Sequence, residues 1–198
     1  PSIREKFTAK GKAVHWFVVS WPERDLSWSD FRSKVIGATD PAAAHKGSLR
    51  ELILSNWRDL GLEERPNTSD NGIHASAGPL EGIAERLTWV GGKLEDDITC
   101  RLLQERGVES HITLRHWINN GIVNKVYLPD GTIRGPGPAF DLLEDMQTST
   151  FIEVVRNAEN EEKESQRRNY AFVFVKPHAH TTEVETLVDG VFKLNCIT

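Results

Sequence analysis

The residues that offer chemistry in this sequence centre on one histidine. His74 lies in residues 71–76 (NGIHAS), a predicted loop whose small side chains would let a ligand approach closely. Glu85 follows eleven residues later, on the helix predicted after that loop, near enough to orient the imidazole. A carboxylate that fixes the tautomer makes a histidine a competent base or nucleophile, because it stabilises the charge that forms on the ring. Taken alone, the pattern fits this chemistry and a hydrogen-bonded structural histidine equally.

Other candidate motifs give weaker signals. His178 and His180 form an HxH pair, but a metal site needs further ligands that the sequence does not supply. No Walker loop, GxGxxG, HExxH or nucleophile elbow is present. Residues 131–135 (GTIRG) are interpreted as an ordinary turn, since no strand leads into them and no Lys-Ser/Thr follows. Three further histidines lie inside predicted elements and are interpreted as structural: His15, His111 and His116.

The composition limits the class of protein. The chain has 198 residues, a formal charge of -5 and no apolar run long enough to cross a bilayer, which indicates one or two globular domains and no membrane partner. This charge gives no support for nucleic acid as a partner. Cys100 and Cys196 form no CxxC or metal pair, which favours a reducing, cytoplasmic location.

Hydrophobic periodicity predicts the elements around the histidine loop. Residues 13–21 (AVHWFVVSW) are typical of a buried strand, and 47–60 have near-helical spacing. An amphipathic helix is predicted over 80–90, with Pro79 at its start. Residues 91–155 read as a small helical element, and 156–168 as a charged linker or exposed helix. A strand over 170–175 and a helix over 182–194 complete the chain.

Several of these segments resemble the nucleoside diphosphate kinase family. Residues 34–41 (KVIGATDP), 47–50 (GSLR) and 71–76, with Glu85, are similar in order and spacing to the family's GATNPA, PGTIRG and NxxHGSD motifs and the glutamate behind the histidine. Residues 172–179 (FVFVKPHA) look like the family's opening strand and Lys-Pro turn, although they lie near the C-terminus. The resemblance covers about 90 residues at the start of the chain and 30 at its end, and leaves the middle uncovered.

The resemblance implies an activity and a set of site residues. His74 would be the phosphohistidine nucleophile that passes a phosphoryl group from a nucleoside triphosphate to a nucleoside diphosphate, with Glu85 holding the other ring nitrogen. No metal would be held by the chain itself, because Mg²⁺ would arrive bridging the phosphates of ATP or another nucleoside triphosphate. The residues implied for nucleotide binding are Lys176, Thr39, Arg50, Asn71, Ser76 and Lys34.

The implied fold is α/β (α+β), a ferredoxin-like antiparallel sheet with helices on one face, plus a small helical insertion. The expected segments are 1–90, the C-terminal part of a kinase-like domain; 91–155, the helical element; 156–168, the linker; and 169–198, an N-terminal strand and helix of a kinase-like domain. Two arrangements explain this order. One is a slice of a tandem array, which the start at Pro1 favours, and the other is a circular permutant.

An alternative function follows from departures from the family pattern. Ser33 stands where the family has an arginine, with Arg32 and Lys34 on either side, and His178 replaces the aspartate of the Lys-Pro-Asp turn. The segment between the family's first helix and second strand is missing as well. These changes favour a catalytically inactive kinase-like domain that acts as a nucleotide-binding or protein-interaction scaffold. In both cases nucleotides are the expected partners, in a homo-oligomer or as tandem domains of a longer chain.

Overall fold

The computed structural model describes residues 10–11, 13–108, 112–166 and 181–194. The chain divides into two units, Pro1–Glu162 and Lys163–Thr198. This division falls within 156–168, the segment that the sequence marks as a linker. Among the described residues, no helix is long and apolar enough to span a bilayer.

Helices account for most of the regular structure. Between the first two helices, a π-helical stretch covers Phe31–Ile36 and a 3₁₀ turn covers Pro41–Ala43, and a second 3₁₀ turn covers Leu94–Asp96. The α-helices are α1 (Trp28–Asp30), α2 (Leu49–Ser55), α3 (Pro79–Trp89), α4 (Ile98–Glu105), α5 (Ile112–Trp117), α6 (Ala139–Leu143), α7 (Thr148–Gln166) and α8 (Thr182–Leu194).

The described strands form two small antiparallel pairs. Strand β1 (Ile122–Val123) pairs with β4 (Gly137–Pro138), and β2 (Val126–Tyr127) pairs with β3 (Ile133–Arg134). The turn between β2 and β3 contains residues 131–132, where Asp130 accepts a hydrogen bond from the amide of Thr132 at 2.9 Å. The interpretation of GTIRG as an ordinary turn is therefore confirmed for residues 131–132, whereas Ile133–Arg134 form β3. Helices with small antiparallel sheets place the described chain in the α+β class, as predicted.

One hydrophobic core joins α3 to the helices that follow it. Its fully buried members include Ile83 on α3, Leu103 on α4, Leu114 on α5 and Phe151 on α7. The core therefore extends across position 90, and the described residues of α3 and of the helices after it share it. Burying each large apolar side chain of this kind contributes about 1.5–3 kcal/mol relative to exposure, which fixes α3 firmly against its neighbours.

Helix α3 is set by local sequence signals. Pro79 occupies the first helical turn, where its missing amide hydrogen costs nothing. Leu80 and Ile83 are buried at helical spacing, so the opposite face carries Glu81 and Glu85 one turn apart. The helix predicted over 80–90 is thus confirmed, with bounds shifted by one residue. Because the core holds the apolar face, the two carboxylates are held next to the histidine loop.

The strand predicted over 13–21 is wrong. These residues are irregular, and Phe17 is 76% exposed rather than buried. A strand is defined by hydrogen bonds to a neighbour, and none of the described strands pairs with this segment. Its β-branched and aromatic residues therefore give local propensity for a strand without the partner that would form one.

Two predicted helical segments have different outcomes. The helix expected over 47–60 ends at Ser55, because the side-chain amide of Asn56 donates to the carbonyl of Leu52 at 2.8 Å and turns follow.

The charged segment 156–168 is helical as far as Gln166. Glu159 on it is buried, and its Oε1 accepts a hydrogen bond from the amide of Thr113 at 3.3 Å. Of the two readings left open for this segment, its described part is the helix.

The second unit is described through its helix α8. Its bounds, Thr182–Leu194, match the predicted helix over 182–194. Val184 and Val188 are half-buried on one face, whereas Leu187 is exposed. The strand predicted over 170–175 lies outside the described residues, as do Lys176, His178 and His180.

Candidate functional site

The predicted histidine and glutamate form a close pair. Nε2 of His74 lies 2.5 Å from Oε1 of Glu85. The loop reaches this position after Gly72, whose φ of 88° places it in the left-handed region that a side chain would disfavour. The imidazole is 68% exposed and the carboxylate 27% exposed, so the ring is open to solvent while its partner is sheltered. In this arrangement Glu85 orients the imidazole through Nε2, while the rest of the ring is accessible to solvent.

Ser76 fixes the glutamate from the other side. Its Oγ donates to Oε2 of Glu85 at 2.5 Å, so each carboxylate oxygen has one partner. A carboxylate held at both oxygens cannot rotate away from the imidazole without breaking a hydrogen bond. Among the described residues no hydrogen bond involves Nδ1 of His74. Nδ1 is therefore the ring nitrogen left free to react.

The electrostatics of the pair favour opposite charges. The pKa of His74 is raised above 6.5, chiefly by its hydrogen bond to Glu85, although burial of the ring opposes the rise. The negative charges of Glu85 and Glu81 raise the pKa further, and the positive charge of Arg50 lowers it. For Glu85, burial would raise the pKa, but hydrogen bonds from His74 and Ser76 outweigh it and lower the value below 4.5. An ionised Glu85 has no proton to donate, so the hydrogen of the short contact is carried by Nε2.

Glu81 is a member of the site that sequence reasoning missed. Its Oε2 accepts a hydrogen bond from the amide of Ala77, one residue after Ser76. The signal was available, because a glutamate at the third helical position commonly reaches back to the amides that precede a helix. Glu81 thereby closes the turn between the histidine loop and α3.

The cluster of His74, Glu81 and Glu85 has the atoms that a cation would need. One ligand atom of each residue lies within 4.8 Å of the others. Imidazole and carboxylate are suitable ligands for zinc. However, Nε2 of His74 and both oxygens of Glu85 are already paired, and Oε2 of Glu81 accepts from Ala77. We therefore assign the cluster to hydrogen bonding rather than to metal binding.

Arg50 braces the histidine loop against a second loop. Its Nη1 donates to the carbonyl of Gly37 at 2.8 Å, while Nε and Nη2 donate to the carbonyl of Ile73 at 3.2 and 3.0 Å. A guanidinium has five N–H groups, so two remain for a ligand. Burial, and then the nearby charge of Arg32, lowers the pKa of Arg50 below the ordinary value for arginine. Arg50 is thus a structural bridge in addition to being a cation beside His74.

Gly37 accepts this bridge because nothing larger fits. Its φ is 99°, and a Cβ at this position would lie 2.9 Å from Cβ of Ala44. The close approach packs Gly37 against Ala44. A separate contact joins this loop to the histidine loop, because the side-chain amide of Asn71 donates to the carbonyl of Thr39 at 3.1 Å. The two loops that the sequence predicts to bind phosphate and ribose are thus joined by Arg50 and by Asn71.

Lys34 lies on a cavity beside these loops. The cavity has a volume of about 380 Å³ and is lined by Ser33, Lys34, Ala38, Ala43 and His45. Nζ of Lys34 forms an ion pair with Asp30 at 2.9 Å. Hydrogen bonds therefore bring together six predicted residues: His74, Glu85, Ser76, Arg50, Asn71 and Thr39. Lys34 shares the cavity wall with Ala38, and Lys176 lies outside the described residues.

Comparison of the chain with models of protein families, with curated proteins and with solved structures finds no match. The kinase resemblance therefore rests on the motif residues of the sequence.

Proposed function

We propose that the protein transfers phosphoryl groups from nucleoside triphosphates to nucleoside diphosphates through a phosphohistidine at His74. The observation that carries this proposal is the 2.5 Å contact between Nε2 of His74 and Glu85, which leaves Nδ1 without a hydrogen bond among the described residues. A histidine oriented in this way, exposed on its free side, has the geometry that an activated nucleophile needs.

The chemistry proceeds in two balanced steps. The lone pair on Nδ1 attacks the γ-phosphorus of the triphosphate, the N–P bond forms, and the bond from phosphorus to the bridging oxygen breaks, so that a nucleoside diphosphate leaves. Nε2 keeps its proton and stays hydrogen-bonded to Glu85, whose negative charge compensates the charge that develops on the ring. In the second step a terminal oxygen of a nucleoside diphosphate attacks the same phosphorus, the N–P bond breaks, and its electron pair returns to Nδ1, which regenerates the free imidazole and releases a nucleoside triphosphate.

The surroundings supply donors for an anionic substrate. Arg50 retains two N–H groups after bracing the loops, and Lys34 adds an ammonium group on the neighbouring cavity. The side-chain amide of Asn71 meets the backbone of Thr39 at the same edge. Mg²⁺ would enter with the nucleotide and neutralise phosphate charge.

A scaffold function is the second candidate, and a specific observation favours it. Three cations near the site already have partners: Arg32 pairs with Glu144 and Asp145, Lys34 pairs with Asp30, and Arg50 donates to two backbone carbonyls. A nucleotide must compete with these partners. If these partners keep the cations from stabilising the transition state, the domain would bind nucleotide or protein without transferring phosphate.

We further propose the finer features that the resemblance implies. These are a ferredoxin-like sheet, a phosphate-binding role for Lys176, assembly as a homo-oligomer or as tandem domains, and a cytoplasmic location. Phosphoryl transfer through His74 does not require any of them.

Brief incubation with γ-labelled ATP tests the function. The wild-type chain is expected to take up label that is lost in acid and retained in base, which is typical of a phosphohistidine. The His74→Ala variant is expected to take up none. His116→Gln is the matched control, because His116 is also exposed and its Nε2 donates a hydrogen bond to the carbonyl of Ile122 at 3.2 Å. Label that survives in His74→Ala, or no acid-labile label in the wild type, would overturn the catalytic proposal.

A further inference from the structure

We infer that Asp145 is a positioning residue for the His74 site, held in place by Arg32. Its effect on phosphoryl transfer rests on the proposed function, whereas its effect on the geometry of His74 does not. Asp145 lies in residues 91–155, which have no counterpart among the motifs around His74. The inference therefore gives this part of the chain a role in the site.

The first contact joins Asp145 to the turn behind the histidine loop. Its amide donates to the carbonyl of Ala77 at 2.8 Å. The amide of Ala77 in turn donates to Glu81, so this residue is held from both sides. Ser76, the preceding residue, holds Glu85. A displacement of Ala77 would therefore pass directly to the residues that orient His74.

The fit between the two segments is tight. A Cβ on Gly78 would lie 3.0 Å from the carbonyl oxygen of Leu143 and 3.6 Å from the amide nitrogen of Asp145. Only a glycine lets the backbone of 143–145 approach so closely without a shift. The turn at 143–145 thus packs directly on the residue that precedes α3.

The side chain of Asp145 holds this turn in a conformation that few residues adopt. Its φ is 56°, in the left-handed region, which aspartate tolerates better than most non-glycine residues. Nη1 of Arg32 donates to Oδ1 of Asp145 at 2.8 Å and to Oε2 of Glu144 at 3.3 Å. Unusual backbone conformations persist where surrounding contacts over-determine them, and they cluster at functional sites. Arg32 supplies such contacts here.

Two further hydrogen bonds tie the same segments together. The amide of Trp28 donates to Oε1 of Gln147 at 3.2 Å, and the amide of Ser149 donates to Oε1 of Glu23 at 2.7 Å. Residues 23–32 therefore hold 144–149 at four points, counting the two contacts of Arg32. The consequence is a continuous chain of contacts from Arg32 through Asp145 and Ala77 to the carboxylates of α3.

The experiment compares substitutions at this turn by the titration of the His74 ring, followed by NMR on the full chain. Glu85, Glu81 and Arg50 are the charged groups that set this titration. Asp145→Ala removes the Arg32 contact and disfavours the left-handed turn. The midpoint for His74 should then move by about half a pH unit or more toward the free-histidine value. Asp145→Asn keeps a side chain that can accept from Arg32 and tolerates the turn, so it should stay close to the wild type.

Controls separate positioning from general damage. Asp141→Ala removes an exposed carboxylate on the adjacent α6 and should leave the titration unchanged. If Asp145→Ala fails to fold, Arg32→Gln tests the same contact without altering the turn residue, and its midpoint should shift in the same direction. A folded Asp145→Ala or Arg32→Gln chain with the wild-type midpoint would overturn the inference.

Labelling with γ-labelled ATP then connects the geometry to the reaction. If the wild type takes up label, the Asp145→Ala variant should take it up at least about tenfold more slowly, because small misplacements of reacting groups are costly. Equal rates in the two chains would contradict the positioning role. If the wild type takes up no label, the proposed function fails, and the shift in the His74 titration still decides whether Asp145 positions the ring.

Discussion

Nε2 of His74 and Oε1 of Glu85 are 2.5 Å apart, and Ser76 holds the second oxygen of the same carboxylate. Because α3 is fixed by its buried face, Glu85 cannot follow the loop if the loop moves. The contact between His74 and Glu85 therefore depends on the hydrogen bonds that hold the histidine loop in position. Arg50 and Ala77 provide two separate points at which it is held.

Replacing Glu85 with glutamine should lower the pKa of His74 and slow its phosphorylation. The neutral amide cannot compensate the charge that forms on the ring, and it can present its NH₂ group to Nε2, which favours the wrong tautomer. We expect labelling by γ-labelled ATP to fall about a hundredfold. Glu64→Gln, an exposed glutamate in the loop before the site, should be unaffected. Equal labelling rates in Glu85→Gln and the wild type would exclude an orienting role for Glu85.

The pH dependence of labelling should follow the free imidazole. Only unprotonated Nδ1 has a lone pair for attack, and the pKa of His74 is raised above 6.5. The initial rate of labelling should therefore rise with pH, with a midpoint above 6.5. In the Glu85→Gln variant the midpoint should move to lower pH, because the main cause of the raised pKa is removed. A rate that falls as pH increases through this range would contradict the nucleophilic role.

Stability should depend on pH through the same pair. The raised pKa of His74 contributes stability that is present below about 6.5 and is lost as pH rises through its folded-state value. The lowered pKa of Glu85 contributes stability that is present above about 4.5 and is lost as pH falls through its folded-state value.

The free energy of unfolding of the wild type should therefore exceed that of Glu85→Gln most between pH 4.5 and 6.5. The ring is mostly exposed, so this excess should stay below about 1 kcal/mol. Denaturant unfolding at several pH values measures it. A difference that is the same at every pH would show that the pair is not coupled to folding.

Arg50→Lys should loosen the two loops and weaken nucleotide binding. A lysine has one nitrogen on a flexible stem, so it cannot bond the carbonyls of Gly37 and Ile73 together as the planar fork does. The loss should lower the free energy of unfolding by about 1–3 kcal/mol. Nucleotide affinity should fall about tenfold, as measured by calorimetry.

Arg58→Lys is the matched control, since Arg58 is exposed and lies over the ring of Trp57 at 4.9 Å from its centroid. It should leave both quantities nearly unchanged. If Arg50→Lys behaves like this control, Arg50 neither braces the loops nor contributes to a nucleotide site.

The sequence predicted the parts of the structure that local signals determine. Helix α3 has a proline at its start and apolar residues at helical spacing, and helix α8 has a similar face, so both were predicted to within one residue. The pairing of His74 with Glu85 was predicted as well, because His74 lies in the loop directly before α3 and Glu85 lies on α3 itself.

Contacts between distant residues were not predictable in this way. The strand expected over 13–21 is absent because a strand needs a partner, which local propensity does not specify. Arg50 was expected to bind phosphate, but its use of two backbone carbonyls depends on a loop approach that side-chain types do not encode. Arg32 and Asp145 are separated by 113 positions, and nothing in either local sequence links them.

The central claim is tested most directly by locating the phosphoryl group on the protein after incubation with ATP. Peptide mapping at neutral or basic pH, combined with ³¹P and ¹⁵N NMR of the intact chain, distinguishes the ring nitrogens. We predict phosphate on Nδ1 of His74, with Nε2 still protonated against Glu85. Phosphate on Nε2, acid-stable phosphate on Ser76, or no phosphate on the chain would contradict this account.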